Sequence, residues 1–237
     1  METSGFRTAP RVEPDSGMSK TLHHGIEILE VLAAHPYGLS ISEIAEVVGV
    51  HRTVAHRLVR TLEAHRLCRR DDHKRVSLGT GLVTLAEPVE QDLRTLARPV
   101  LEGLADTVGA TAHLVVRESE HEARALMVVE PRRATVHIAF RPGQSIPIER
   151  GSAAMAILSA LPPVEGERPE IAEGRRRGWA ISEGEVVPTT IGISAPVPAR
   201  RGGPQAAIGI SVFDDTRAEE QAAAVTAAAR ELGELLR

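Results

Sequence analysis

The chain is short of several things that functional classes need. It has one cysteine, Cys68, in 237 residues. That excludes an intrachain disulfide or a CxxC metal site, and it fits a reducing compartment. Aromatic residues are scarce, with one Trp, one Tyr and three Phe, so a module that stacks unpaired bases on aromatic platforms is not expected. No apolar run approaches the ~18 residues that suggest a membrane span. The opening METSGFRTAPRVEPDSG carries acids and prolines but no apolar h-region, which argues against a signal peptide. Catalytic signatures are missing too: there is no GxSxG elbow, P-loop or HExxH, and the GxGxxG-like string begun by Gly79-Thr80-Gly81 is broken at Thr84. The expectation is therefore a cytoplasmic, membrane-free protein with no catalytic residue, cofactor or metal. What remains is ordinary for a globular chain, 42% hydrophobic and 25% charged, and the length is comfortable for two domains.

The net charge of −4 hides a gradient. Through Leu78 there are 11 basic against 10 acidic residues, and beyond it 17 against 22. Within His51–Arg75 the basic side chains Arg52, Arg57, Arg60, Arg66, Arg69, Arg70, Lys74 and Arg75 face only Glu63, Asp71 and Asp72. A local basic patch suffices for a polyanion, because phosphate contact depends on local charge. A merely solvated charged face is the alternative for this segment taken alone.

Its context narrows the choice. After a lead over residues 1–17, with Met18 as a candidate start, Leu22, Ile26, Leu29 and Leu32 recur at helical spacing. His35-Pro36-Tyr37-Gly38 ends that helix. Ser40-Ile41-Ser42-Glu43 has the form of a capping box, opening a short helix with Ile44, Ala45 and Val48 inward. Gly49 supplies the turn. A longer helix is expected over Arg52–Ala64, with Val54, Leu58 and Leu62 as its buried stripe. Two helices about a glycine turn form a helix-turn-helix pattern. Leu67–Arg70 and Lys74–Leu78, around a turn at Asp71-Asp72-His73, read as a basic β-hairpin, so the unit is a winged helix. On this reading Ser42, His51, Arg52, Thr53, His56, Arg57, Arg60, Arg69, Arg70, Lys74 and Arg75 are the candidate contacts to double-stranded DNA. His51, His56, His65 and His73 do not read as a metal site: a spacing of five takes the first two off one helical face, and no Cys or carboxylate cluster joins them.

The run ISEIAEVVGVHRTVAHRLVRTLEAHRLCRRDDHKRVSLG resembles the DNA-binding domain of the IclR-type family of bacterial transcription regulators. The family's T-V-x-H-R-L-L-x-T-L-E pattern stands here as TVAHRLVRTLE, and its Leu-Gly after the wing as SLG. The resemblance covers nearly the whole chain after residue 18 and implies an α+β two-domain protein. Its parts are a winged helix-turn-helix over residues 18–78, a linker helix region over 79–98 that helps the N-terminal domains pair, and a GAF-like effector-binding domain over 99–237. It also implies a homodimer or a dimer of dimers, associated with the nucleoid.

The residues after the linker fit such a domain. Pro88 should break the connector. Strands are expected at Ala112–Arg117, Ala125–Glu130, Val136–Phe140, Trp179–Ser182, Ile191–Val197 and Ala207–Phe213, with helices at Gly151–Leu161 and Ala218–Leu236. The run RPGQSIPIERGSAA leads a loop into small residues at a helix start, where free N–H groups and the helix dipole favour an anion. Packing of small residues on the sheet is the alternative. The resemblance favours an effector pocket, since family members often bind small organic acids at this helix start, and the candidates are Gly151, Ser152, Ala153, Ala154, Ser182, Glu183, Gly192 and Ser211. Three positions depart from the family's pattern. Ser182 stands where an acid is common, with Glu183 and Glu185 close by; Gly192 replaces a common cysteine; and Gly209 replaces one of two serines. A roomier, less polar pocket is expected, and a shortened segment between Leu161 and Arg175 should leave one side open. Arg175-Arg176-Arg177 reads as a helix C-terminus. Two other classes compete. One is a cysteine-dependent GAF-type enzyme, which Cys68 in the wing cannot serve. The other is a winged-helix protein adaptor.

Overall fold

The structure, a computed structural model, describes residues 17–87, 91–132, 140–199 and 203–236. The expected lead up to residue 16, the break at Pro88 and residues 136–139 of an expected strand lie outside the described residues. The chain divides into two compact units, residues 1–89 and 90–237.

In the first unit, α1 spans Lys20–Ala33 behind an N-cap at Ser19, α2 Ile41–Val48 and α3 Arg52–Ala64. The capping box forms as the sequence suggests. Glu43 N–H donates to Ser40 Oγ at 3.3 Å, and Ser40 N–H donates to Glu43 Oε2 at 2.6 Å. That backbone bond holds the Glu43 carboxyl below the ordinary carboxylate range. Gly49 ends α2 at φ 76°, a left-handed turn that glycine enters without a Cβ clash. Strands β1 (Cys68–Arg70) and β2 (Val76–Leu78) pair antiparallel, and Leu39 bridges to Val76, which ties the wing to the start of α2. Ile28, Leu32, Ile44, Ala55, Val59, Cys68 and Val76 share one core.

Two expected stripes are rotated. Helix α1 turns Ile28, Val31 and Leu32 inward and leaves Leu22 and Ile26 exposed. Helix α3 buries Ala55, Leu58 and Val59 and leaves Val54 exposed. In both, the buried set follows i, i+3, i+4, the spacing that keeps one helix face on the core, whereas a strict i, i+4 row drifts around the helix. Gly79 explains the Leu-Gly ending of the wing. Its N–H donates to Leu67 O at 2.9 Å, and a Cβ there would overlap the Arg66 carbonyl. Helix α4 (Gly81–Ala86) follows and buries none of its residues.

The second unit opens with α5 (Gln91–Val108), which runs through Pro99. A six-stranded antiparallel sheet follows. Its order is β5 (Ser145–Pro147), β4 (Glu122–Val129), β3 (Thr111–Arg117), β8 (Ala206–Val212), β7 (Ile191–Pro196) and β6 (Ala180–Glu183). Alternation along the strands makes two cores. Leu114, Ile193, Ile208 and Ile210 pack with Leu101, Ala105, Val225 and Leu232 of α5 and of α8 (Ala218–Leu235). On the other face, Val115 and Ala207 pack with Ala153, Ala154, Ala156 and Ile157 of α6 (Ser152–Ser159), over which lies α7 (Pro169–Arg177). The alanines of α6 let it lie close on the sheet. Arg175, Arg176 and Arg177 fill the last turn of α7 before Gly178, as the sequence suggests.

Candidate functional site

Each unit carries a candidate site. In the first, the buried face of α3 fixes its opposite face. Arg52, Thr53, His56, Arg57 and Arg60 fall on an arc of about 140° at 100° per residue, with Thr53 opposite the buried Ala55, Leu58 and Val59 and Arg52 at the edge beside Val59, and all five are exposed. His51 is the N-cap; its Nδ1 accepts the Thr53 N–H at 3.3 Å. Ser42 is exposed in the first turn of α2. In the wing, Arg69 and Lys74 are exposed, while Arg70 donates to Glu63 Oε2 at 3.4 Å. Lys74 takes φ 60° at the hairpin turn, where Arg75 N–H donates to Asp71 Oδ1 at 2.8 Å. Arg75 differs from the sequence reading. Its guanidinium donates to Tyr37 O at 3.1 Å and Gly38 O at 2.6 Å and pairs with Glu43 at 3.7 Å, so it fastens the wing to the start of α2. Cys68 is buried beneath the wing, and burial pushes its thiol up to about 11. It is not a reactive thiolate.

In the second unit, a narrow cleft lies between the start of α6 and the sheet. Six of the sequence candidates line it: Gly151, Ser152, Ala153, Ser182, Gly192 and Ser211. Two do not. Ala154 is fully buried in the core under α6. Glu183 is exposed, because strand alternation turns it away from the side that Ser182 faces. The acid that does line the cleft is Glu185, on the loop after β6.

The helix start is already satisfied from within the chain. Gly151 N–H donates to Glu185 Oε2 at 2.8 Å, and Ser152 N–H donates to Ser182 Oγ at 2.8 Å. Ser152 Oγ lies 2.8 Å from Ser194 Oγ. Arg168, just before α7, grips Glu185 with both terminal nitrogens, at 3.1 and 2.9 Å, and also donates to Glu149 O at 2.8 Å. These bonds, Arg168 first, hold the Glu185 carboxyl below the ordinary carboxylate range. The side expected to stand open after the shortened segment is thus crossed by an ion pair.

The extra room expected at Gly209 is also taken. A Cβ there would overlap Ser194 Oγ and His113 Nε2, so those two side chains occupy the space. His113 is 4% exposed and stands edge-on to Phe140, with ring centroids 5.0 Å apart. Burial lowers its pKa to about 4, so it is neutral near pH 7. Among the described residues its Nδ1 has no hydrogen-bond partner. His113, which lines the cleft, and Ser194, buried beside Ser152, escaped sequence reasoning because strand register places them, and Glu185, noted only as an acid near Ser182, reaches the cleft on a loop. The one available signal was alternation, which puts Ser194 two residues after Gly192.

A winged helix with an exposed basic helix face, carried with a sheet domain that holds a cleft at a helix start, defines a one-component DNA-binding regulator. The comparisons with known proteins agree. Residues 21–72 match the IclR helix-turn-helix domain. The chain is 27% identical over 227 residues to the HTH-type transcriptional regulator KipR of Bacillus subtilis, covering 86% of this chain and 90% of that one. It is 28% identical over 224 residues to the glycerol operon regulatory protein of Streptomyces coelicolor, covering 81% and 84%. Among solved structures, an IclR transcriptional regulator from Alicyclobacillus acidocaldarius superposes with a TM-score of 0.77 at 23% identity, over 93% of this chain and 100% of that one. An IclR homolog from Microbacterium hydrocarbonoxydans, complexed with 4-hydroxybenzoate, gives 0.79 at 21% identity, over 92% and 99%. The first unit thus carries an IclR helix-turn-helix domain, and over most of its length the chain is similar to IclR-type transcription regulators.

Proposed function

We propose that the protein is an effector-responsive regulator that reads duplex DNA as a symmetric dimer in the bacterial cytoplasm, without catalytic activity. The observation that carries this reading is the basic arc of α3, exposed opposite a core complete within its own unit. Arg52, Thr53, His56 and Arg57 meet base edges in the major groove. Ser42, His51, Arg60, Arg69, Arg70 and Lys74 contact the flanking backbone. Arg75 acts indirectly, by holding the wing. A second copy is supported by apolar side chains that nothing in their own unit covers: Leu22, Ile26, Val83 and Leu85 are 64, 48, 73 and 61% exposed. The cleft at the start of α6 receives the effector. The 4-hydroxybenzoate complex of the Microbacterium homolog supports a small organic molecule in that role. An effector that binds one arrangement of the sensor domains better shifts the spacing of the winged helices.

Hydroxyl-radical footprinting of the full chain on its own upstream DNA tests the reading. Two protected half-sites on one face of the duplex, about 10 bp or a multiple apart, are expected. Cleavage unaffected at saturating protein, there and on a pool of genomic fragments, contradicts it.

A further inference from the structure

This inference rests on the reading of the α6 cleft as the effector pocket, and it concerns the class of molecule the pocket takes. The most favourable place for a free carboxylate in such a cleft is the N–H group that opens the helix. Here that N–H, from Gly151, already donates to a carboxylate of the chain itself. Glu185 is clamped there by a two-pronged bond from Arg168, a geometry that fixes direction as well as charge. The neighbouring contact is equally close. Gly151 takes φ 84°, and a Cβ there would overlap Val186, so the loop carrying Glu185 lies directly on the helix start. The second N–H, from Ser152, is satisfied by Ser182. An incoming anion would find the first two N–H groups of the helix end already taken, the first of them by the Glu185 carboxylate.

The interior of the cleft is apolar or neutral, and the further cation of its lining, Arg150, is exposed where solvent screens its charge. Phe140, Ile146, Val186 and Val187 line it. So does His113, whose Nδ1 is buried and without a partner among the described residues. A buried polar atom without a partner costs stability, and a bound group able to pair with it would recover that cost. A neutral imidazole offers one donor and one acceptor, which suits a hydroxyl or an amide.

We propose that Glu185 stands in for the carboxylate of an organic-acid effector, so that this pocket selects uncharged ligands bearing a hydroxyl or amide group for His113 and discriminates against carboxylic acids. The test uses the full-length protein, isotope-labelled, with benzoate and benzamide as probes that share a shape and differ in charge. The Gly151 amide and the His113 ring resonances are followed during titration. The wild type is expected to bind benzamide at least tenfold more tightly than benzoate, with the His113 resonances moving and the Gly151 amide still. In Glu185→Ala the Gly151 amide should move saturably with benzoate, at least tenfold more tightly than in the wild type. Glu185→Gln keeps a side chain on Gly151 without the charge and should fall between the two. It also decides the matter if Glu185→Ala loses its dispersed spectrum. A wild type that prefers benzoate, or responds to neither probe, overturns the proposal, as does a Gly151 amide indifferent to benzoate in both variants. Binding of the same samples to upstream duplex DNA separates the two readings. Loss of DNA binding by the wild type counts against the regulator, and retained DNA binding with the wrong ligand preference counts against this inference alone.

Discussion

Single residues decide what the sensor cleft is. Gly209 is where the sequence suggested empty space, and the structure puts Ser194 Oγ, His113 Nε2 and the Ile193 carbonyl around the place a Cβ would occupy. The two side chains could shift, but the carbonyl belongs to a paired strand and cannot. Gly209→Ala is therefore expected to destabilise the second unit by about 1–3 kcal/mol, the usual range for overpacking a core. Urea unfolding checks it, and an unchanged midpoint would show that the strand has slack. His113 sets a pH dependence. Its folded pKa, lowered by burial to about 4, lies below the ordinary 6.5. Between those values the unfolded chain binds the proton and the folded chain does not. The neutral buried ring thus contributes its full stability above about pH 6.5 and loses it as pH falls toward about 4, at up to roughly 1.4 kcal/mol per unit. His113→Phe should lose less stability than the wild type between pH 7 and pH 5 in matched urea titrations. Parallel losses in the two proteins would assign the acid sensitivity to other groups.

At the level of elements, the winged helix divides labour between a reader and a clamp. Arg52→Ala, at the first position of α3, should relax sequence choice at a cost of about 1–3 kcal/mol if its contact is a bidentate one to a base. Lys74→Ala, at the tip of the wing, should weaken all sequences alike and make the salt slope less steep by about one. Competition binding on matched and scrambled duplexes distinguishes them, and identical behaviour of the two variants would remove the distinction. Ser40→Ala, which deletes one half of the capping box, should cost about 1 kcal/mol of stability in the first unit. Most of these elements were legible in the sequence for local reasons. The bounds of α3 follow from the glycine turn before it and its apolar spacing, and β7 and β8 follow from apolar runs bounded by turns. The elements that were not legible depend on distant partners. Strand β5 is three residues long, includes Pro147 and exists by pairing with β4. Helix α5, by contrast, follows from Leu93, Leu96, Val100, Leu104 and Val108 at helical spacing, and it runs through Pro99 held by its packing on α8 and the sheet. Arg168 and Glu185 are 17 residues apart with no periodicity between them, so their pairing at the start of α6 appears only once α7 and the loop after β6 are placed.

For the whole molecule, similarity to the IclR-type regulators supplies the scheme of a DNA-reading unit and a sensing unit, and the chain's own residues specify it. An effector that favours one of two dimer arrangements about tenfold contributes about 1.4 kcal/mol of coupling, within the range by which ligands shift regulators. The Glu185–Arg168 pair predicts which molecules can supply that coupling, and the basic arc of α3 predicts what they release or retain. The most direct test of the central claim is fluorescence anisotropy of the full chain on its own upstream duplex, titrated with salt beside a scrambled duplex of equal length. Tighter binding to the upstream sequence, with log affinity falling steeply and linearly against log salt, is the predicted result. Weak binding to both duplexes, indifferent to sequence and to salt, would contradict it.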